Sequence, residues 1–168
     1  MELSKLDVAE VLLRGTSIAQ NCLDKWSLLL YRESDSPNSP LLLAYPSTPE
    51  AILTHWRSVV ADVALYVQAE LRSELRRNLS LFFLAQGAVD RKVVKAIRED
   101  TYCCKKIVIE AASPDVLFEL RRYYLVGRIE SLDKADTTND MVGGEILSDF
   151  IYKEFPEVKP IMAKVSRV

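Results

Sequence analysis

An apolar stripe behind a helix-start signal constrains this chain more than any other feature. Ser47-Thr48-Pro49-Glu50 supplies the start. A hydroxyl caps an orphan N–H, proline in the first turn has no N–H to satisfy, and glutamate favours the positive end of the helix dipole. Apolar residues then recur at Ile52, Leu53, Trp56, Val59, Val60, Val63, Ala64, Val67, Leu71 and Leu75, in steps of three and four. The spacing predicts one helix from Thr48 to about Asn78, roughly 40 Å long at about 1.5 Å per residue. A core made from a single chain of this size covers about three or four turns of such a rod, so the surplus points to a partner. Trp56, Val63, Val67 and Leu71 are the expected partner surface. Trp56 is its anchor, because a large aromatic gains most from being desolvated in a pocket. The alternative is internal: strands near 26–32 and 79–84 cover the whole stripe, and Trp56 is core.

Around this rod the chain alternates between helical and extended patterns. Apolar residues at Leu6, Val8, Val11, Leu12 and Leu13 suggest an N-terminal helix over about residues 4–22. Trp26 to Arg32 reads as a strand, residues 33–40 (ESDSPNSP) as a loop, and Leu41 to Tyr45 as the return strand ended by Pro46. Leu79 to Leu84 and Lys105 to Glu110 read as strands. Between them Asp90 caps a helix from Arg91 to about Asp100, and Ser113-Pro114-Asp115 starts another holding Val116, Leu117, Leu120 and Tyr124. Strand, helix, strand, helix over residues 79–124 is a βα repeat whose strands are expected to be parallel neighbours. A polar loop at 133–139, a helix from Met141 to Glu154 and a tail after Pro156 complete the reading. The expected fold is α+β, a small mixed sheet with a βα repeat and one long helix packed on it. Residues 1–155 form one domain, and the tail 156–168 orders only against a partner.

Composition bounds the function. Of 168 residues, 49% are hydrophobic and 27% charged, which excludes a wholly disordered chain. Twenty-two basic residues against 24 acidic ones give a net charge of −2, so no global field points to nucleic acid or an anionic membrane. Cys22, Cys103 and Cys104 are too few for a disulfide scaffold, and adjacent cysteines rarely pair with each other. The N-terminus lacks a signal peptide's pattern, and no apolar run approaches the roughly 20 residues that cross a bilayer. A reducing cytoplasm is the expected compartment.

Catalytic patterns are weak. His55 is the single histidine and lies beside Trp56 with no orienting partner in sequence. The glycine pair Gly143-Gly144 lacks the further glycine and lysine of a phosphate-binding loop. Pro114-Asp115 with Glu119-Leu120-Arg121 faintly resembles a metal-dependent nuclease, but the string falls in one helical pattern instead of on neighbouring strands. No cofactor and no metal site is expected.

The charges are unevenly placed. Residues 72–106 hold nine Lys or Arg against four acids, and residues 129–157 hold eight acids against two lysines. Arg76, Arg77, Arg91, Lys95, Lys105 and Lys106 are the expected contacts to DNA or to an acidic partner. Solvated helix faces explain the same clustering. Tyr102, Tyr123 and Tyr124 flank basic residues and are read as packing.

The stretch from Leu81 to Ile109 carries a resemblance. An apolar strand, Leu81-Phe82-Phe83-Leu84, leads to a charged helix ending in Arg98-Glu99-Asp100-Thr101-Tyr102-Cys103-Cys104-Lys105-Lys106-Ile107-Val108-Ile109. This resembles the middle component of bacterial three-component conflict systems built around an ABC-type ATPase. Members typically carry an acidic helix end, a cysteine, Arg-Lys and an apolar strand. Cys104-Lys105-Lys106 has lysine in place of the arginine, which removes any bidentate contact that the arginine makes. By size, the chain is most similar to the small third subunit of Lamassu-type anti-phage defence complexes.

The resemblance implies a non-enzymatic adaptor that links an SMC-like ATPase to an effector nuclease and couples DNA sensing to effector release. Its implied partners are those two subunits and, within the complex, DNA; no membrane is implied. A small stand-alone nuclease and a DNA-binding regulator are the alternatives. Cys104 is expected as a small packing residue, with one or both following lysines exposed near a partner.

Overall fold

The computed structural model describes residues 3–6, 17–33 and 39–124. They belong to one compact unit spanning Met1–Tyr124. The segments at 133–139, 141–154 and 156–168, the glycine pair and the domain boundary at 155 lie outside the described residues.

Five strands, β1 (Leu3–Lys5), β2 (Leu29–Glu33), β3 (Leu41–Ser47), β4 (Leu79–Ala85) and β5 (Lys105–Ile109), form one mixed sheet in sequential order. β1, β2 and β3 pair antiparallel, whereas β3–β4 and β4–β5 are parallel. The fold is α+β, and the βα repeat is present with its two strands parallel and adjacent. The central strands are apolar on both faces because both faces are covered. Leu79, Leu81, Phe83 and Ala85 of β4 face a core shared with helices α1 (Ser17–Trp26), α2 (Pro49–Asp62) and α4 (Arg91–Glu99). Phe82 and Leu84 face the opposite core, covered by a helix α5 that is described over 116–124. There Phe82 meets Tyr123 edge-to-face, ring centroids 5.2 Å apart, and Tyr124 at 6.5 Å, so these two tyrosines are packing residues, whereas Tyr102, expected to pack as well, is 57% exposed.

Local chemistry places each boundary. Thr48 accepts from the Ala51 N–H and Asp90 from the Lys92 N–H, capping α2 and α4 as expected. Helix α1 ends in a Schellman motif: Ser27 has φ 51°, Leu28 N–H donates to the Leu23 carbonyl at 2.8 Å, and Ser27 N–H donates to that of Asp24. Trp26 is therefore the end of a helix, and the strand expected from it begins at Leu29. The N-terminal helix expected over 4–22 is also displaced. Leu3, Ser4 and Lys5 are an edge strand paired to Glu33, Arg32 and Tyr31. Pro46 does not end β3, because β2 pairs only as far as Ala44 and Pro46 has no ladder on that side to break.

The long helix is the main correction. Regular α-helix ends at Asp62, followed by a π-helical turn (Val63–Val67) and a 3₁₀ turn (Gln68–Glu70). At Leu71 the backbone becomes extended, ψ 150°, before a short helix α3 (Ser73–Arg76). Residues in steps of four drift by about 40° per step around an α-helix. The widened turn takes up this drift, so that Val63, Val67 and Leu71 all point into the sheet. Trp56, Val63, Val67 and Leu71 are at most 4% exposed, sealed by this chain's own strands. They are internal core and offer no surface to a partner. The Arg57 guanidinium, 4.3 Å from the Trp56 ring centroid, covers the indole from outside.

Candidate functional site

A cleft of about 580 Å³ lies at the amino ends of the three parallel strands. Pro40 precedes β3, Leu79 and Ser80 open β4, and Lys105 opens β5. Gln68, Arg76, Arg77 and Asn78 form one wall, and the turn at Cys103 and Cys104 forms another. Of the lining residues, Arg76, Arg77 and Lys105 are cationic and none is acidic. Ligands of open α/β sheets usually sit beyond the carboxyl ends of the strands, where helix N-termini point. Here the cleft lies at the opposite end, and side chains supply its positive charge.

Two cations build the cleft in addition to their charge. Arg76 Nε donates to the Leu71 carbonyl at 2.8 Å and another guanidinium nitrogen to that of Ala69, closing the carbonyls freed where the helix breaks. Lys106 is buried. Its Nζ donates to the carbonyls of Asp100 at 3.0 Å, Tyr102 and Cys104 at 2.8 Å, and lies 3.1 Å from the Asp100 carboxylate. It thus holds the carboxyl end of α4, where the dipole favours a cation. This removes Lys106 from the expected polyanion contacts, whereas Lys105 is exposed. Gln68 Nε2 donates to the Cys103 carbonyl at 2.9 Å and ties the two walls together.

The remaining expected contacts lie elsewhere. Arg91 opens α4, past the carboxyl end of β4, and Lys95 pairs with Glu99 at 3.7 Å on the same solvated face. Cys104 is half-buried against the core shared with α1, α2 and α4. Asp115 accepts from the Phe118 N–H at 3.1 Å, and buried Glu119 accepts from the Ser113 N–H at 2.8 Å. Arg122 lies 2.6 Å from the other Glu119 oxygen as an ion pair without hydrogen-bond alignment. The acids of the nuclease-like string are thus engaged in starting α5. Among the described residues, no group of three or more His, Cys, Asp or Glu could hold a metal ion.

A second, smaller groove of about 200 Å³ separates α1 from the end of α2, lined by Ile18, Asn21, Cys22, Lys25, Asp62 and Tyr66. Ile18 and Tyr66 are exposed there, as is neighbouring Leu65. Trp26 Nε1 donates to Asp62 at 2.8 Å and Lys25 Nζ at 2.7 Å, across the groove floor. Burial raises the Asp62 pKa, but the hydrogen bonds from Lys25 and Trp26 outweigh it and hold the carboxyl below its ordinary value. His55 is exposed and tilts against Trp26, ring centroids 5.6 Å apart. Sequence reasoning missed Ile18, Leu65, Tyr66 and Gln68. The signal for Leu65 and Tyr66 was that they are apolar yet fall off the stripe.

No helix among the described residues is long and apolar enough to cross a membrane. Compared with known proteins, the chain matches no family model, no curated protein and no solved structure.

Proposed function

We propose that this chain is a non-enzymatic bridging subunit of an SMC-like ATPase defence complex of the Lamassu type. It links the ATPase to an effector nuclease in the cytoplasm and helps couple DNA sensing to effector release. The observation that carries this reading is the pair of chemically unlike surfaces on one small unit. A cationic cleft and an apolar-rimmed groove flank the end of the same helix and share no lining residue. The groove suits a protein partner and the cleft a polyanion or an acidic surface. The segment Leu81 to Ile109, which carries the resemblance, contributes Cys103, Cys104 and Lys105 to the cleft.

Co-expression with a coiled-coil ATPase and a nuclease encoded beside this chain tests the proposal. All three are expected to copurify, and Ile18→Glu with Tyr66→Glu to release a partner while leaving the fold intact. Purification of this chain alone from that co-expression, or Mg²⁺-dependent DNA cleavage by the isolated chain, defeats it.

A further inference from the structure

Arg77 and Lys105 are exposed cations of the cleft with no acidic partner among the described residues. The four ion pairs found there use Lys25, Lys95, Lys106 and Arg122. Asp100, which precedes the Cys103–Cys104 turn, is taken up by the Lys106 ammonium and by the Tyr102 N–H, which donates to it at 2.8 Å. Arg76 differs from the other two. Its guanidinium is fixed on the Leu71 and Ala69 carbonyls, so its charge stands in the wall with little side-chain entropy left to lose.

Strand register gathers these charges. Lys105 is the partner of Ser80, so both side chains leave the same face of the sheet, on strands about 4.8 Å apart. Arg76 and Arg77 are consecutive at the end of α3 and lead directly into β4. Charge packed this closely suits a compact anion that carries several charges in one small group. A nucleic-acid strand spreads single charges along its backbone, and an acidic peptide spreads them over separate side chains. The cleft volume of about 580 Å³ falls in the range of small-molecule sites, about 300–1,000 Å³. No aromatic side chain lines it, so nothing there stacks on a base, while the Ser80 hydroxyl adds a neutral donor.

We propose that the cleft is a binding site for a linear di- or triphosphate group, held by Arg77 and Lys105 in the field of Arg76. The group belongs to a nucleotide or to inorganic polyphosphate, because the cleft reads the phosphates and not the base. The lining offers no carboxylate to share a Mg²⁺ ion, so the metal-free anion is the form it takes. This names the ligand of the cleft. It rests on the assignment of the cleft to a polyanion under the bridging role, and not on the partners of that role.

Equilibrium dialysis of the full chain against inorganic triphosphate, ATP, inorganic phosphate and a single-stranded oligothymidylate, each with excess chelator, tests the site. Triphosphate and ATP are expected to bind one site with affinities equal within about two-fold, because no base is stacked. Phosphate and the oligothymidylate are expected to bind at least about ten-fold more weakly, and excess Mg²⁺ to weaken ATP and triphosphate by a similar factor, because each lowers the charge met by the cleft. Arg77→Gln with Lys105→Gln abolishes binding, whereas Arg91→Gln with Lys95→Gln, the same charge change outside the cleft, keeps it; circular dichroism reports both folds. No binding of triphosphate by the unaltered chain, a preference for ATP over triphosphate, or tighter binding in Mg²⁺ overturns the proposal. Tighter binding of the oligothymidylate also overturns it and gives the cleft to a nucleic-acid strand. The unaltered chain decides even if a variant misfolds. Failure here beside intact copurification of the three subunits leaves the bridging role standing, and binding by a chain that purifies alone removes that role and keeps the site.

Discussion

The Lys106 ammonium lies 3.1 Å from the Asp100 carboxylate, with none of the lysine side chain exposed. A lysine so placed is structural, whatever its sequence neighbours suggest. Lys106→Met leaves three carbonyls and a carboxylate without their cation and is expected to cost about 2–4 kcal/mol. Asp100→Asn is milder, about 1 kcal/mol, because the lysine keeps its carbonyl partners. Urea unfolding checks both, and equal costs for the two variants contradict this account.

Asp62 makes stability depend on pH in acid. Its folded-state pKa is below the ordinary 3.8, so its contacts stabilise fully above that value and are lost as pH falls through the folded pKa. Asp62→Asn therefore lowers the urea midpoint at neutral pH, and the gap to the unaltered chain closes as pH falls below the ordinary carboxyl value and through the folded-state pKa. A gap that widens in acid has the wrong sign for this explanation.

Trp56 and the groove separate stability from association. Trp56→Ala is expected to cost about 3–5 kcal/mol, because it empties a filled core site. Ile18→Glu or Tyr66→Glu changes stability by about 0.5 kcal/mol or less. Thermal unfolding measures the contrast. A stable, well-packed Trp56→Ala variant argues that the stripe is not core.

Cation placement, not cation number, governs polyanion binding here. Arg77→Glu with Lys105→Glu should elute from a heparin matrix at clearly lower salt than Arg91→Glu with Lys95→Glu, although both pairs change the net charge equally. Identical elution means that the cleft does not focus charge.

Much of the fold was legible. Thr48 and Asp90 sit before helices with the side chains that cap them, and the β4–α4–β5 repeat follows from Asp90 and two apolar runs. Legibility fails where a local pattern depends on a distant partner. Leu3–Lys5 became a strand because Glu33, Arg32 and Tyr31 pair with it. Trp26 ended a helix because Ser27 accepts a left-handed conformation. For the site, the clustering of Arg76, Arg77 and Lys105 was visible as charge density. Their convergence, and the diversion of Lys106 to the end of α4, depend on strand register that the sequence does not spell out.

The π-helical turn at Val63–Val67 works as a phase setting for everything after it. It contains the extra residue that a regular helix of the same rise would not hold. Deleting one residue between 63 and 67 would restore an ordinary helix and rotate all that follows by about 100°. Gln68 would then swing away from the Cys103 carbonyl, and the wall bearing Arg76 and Arg77 would no longer face Lys105. The cleft is thus keyed to a residue count in a helix that forms only part of its wall, and a length change there would disconnect it without touching a charge.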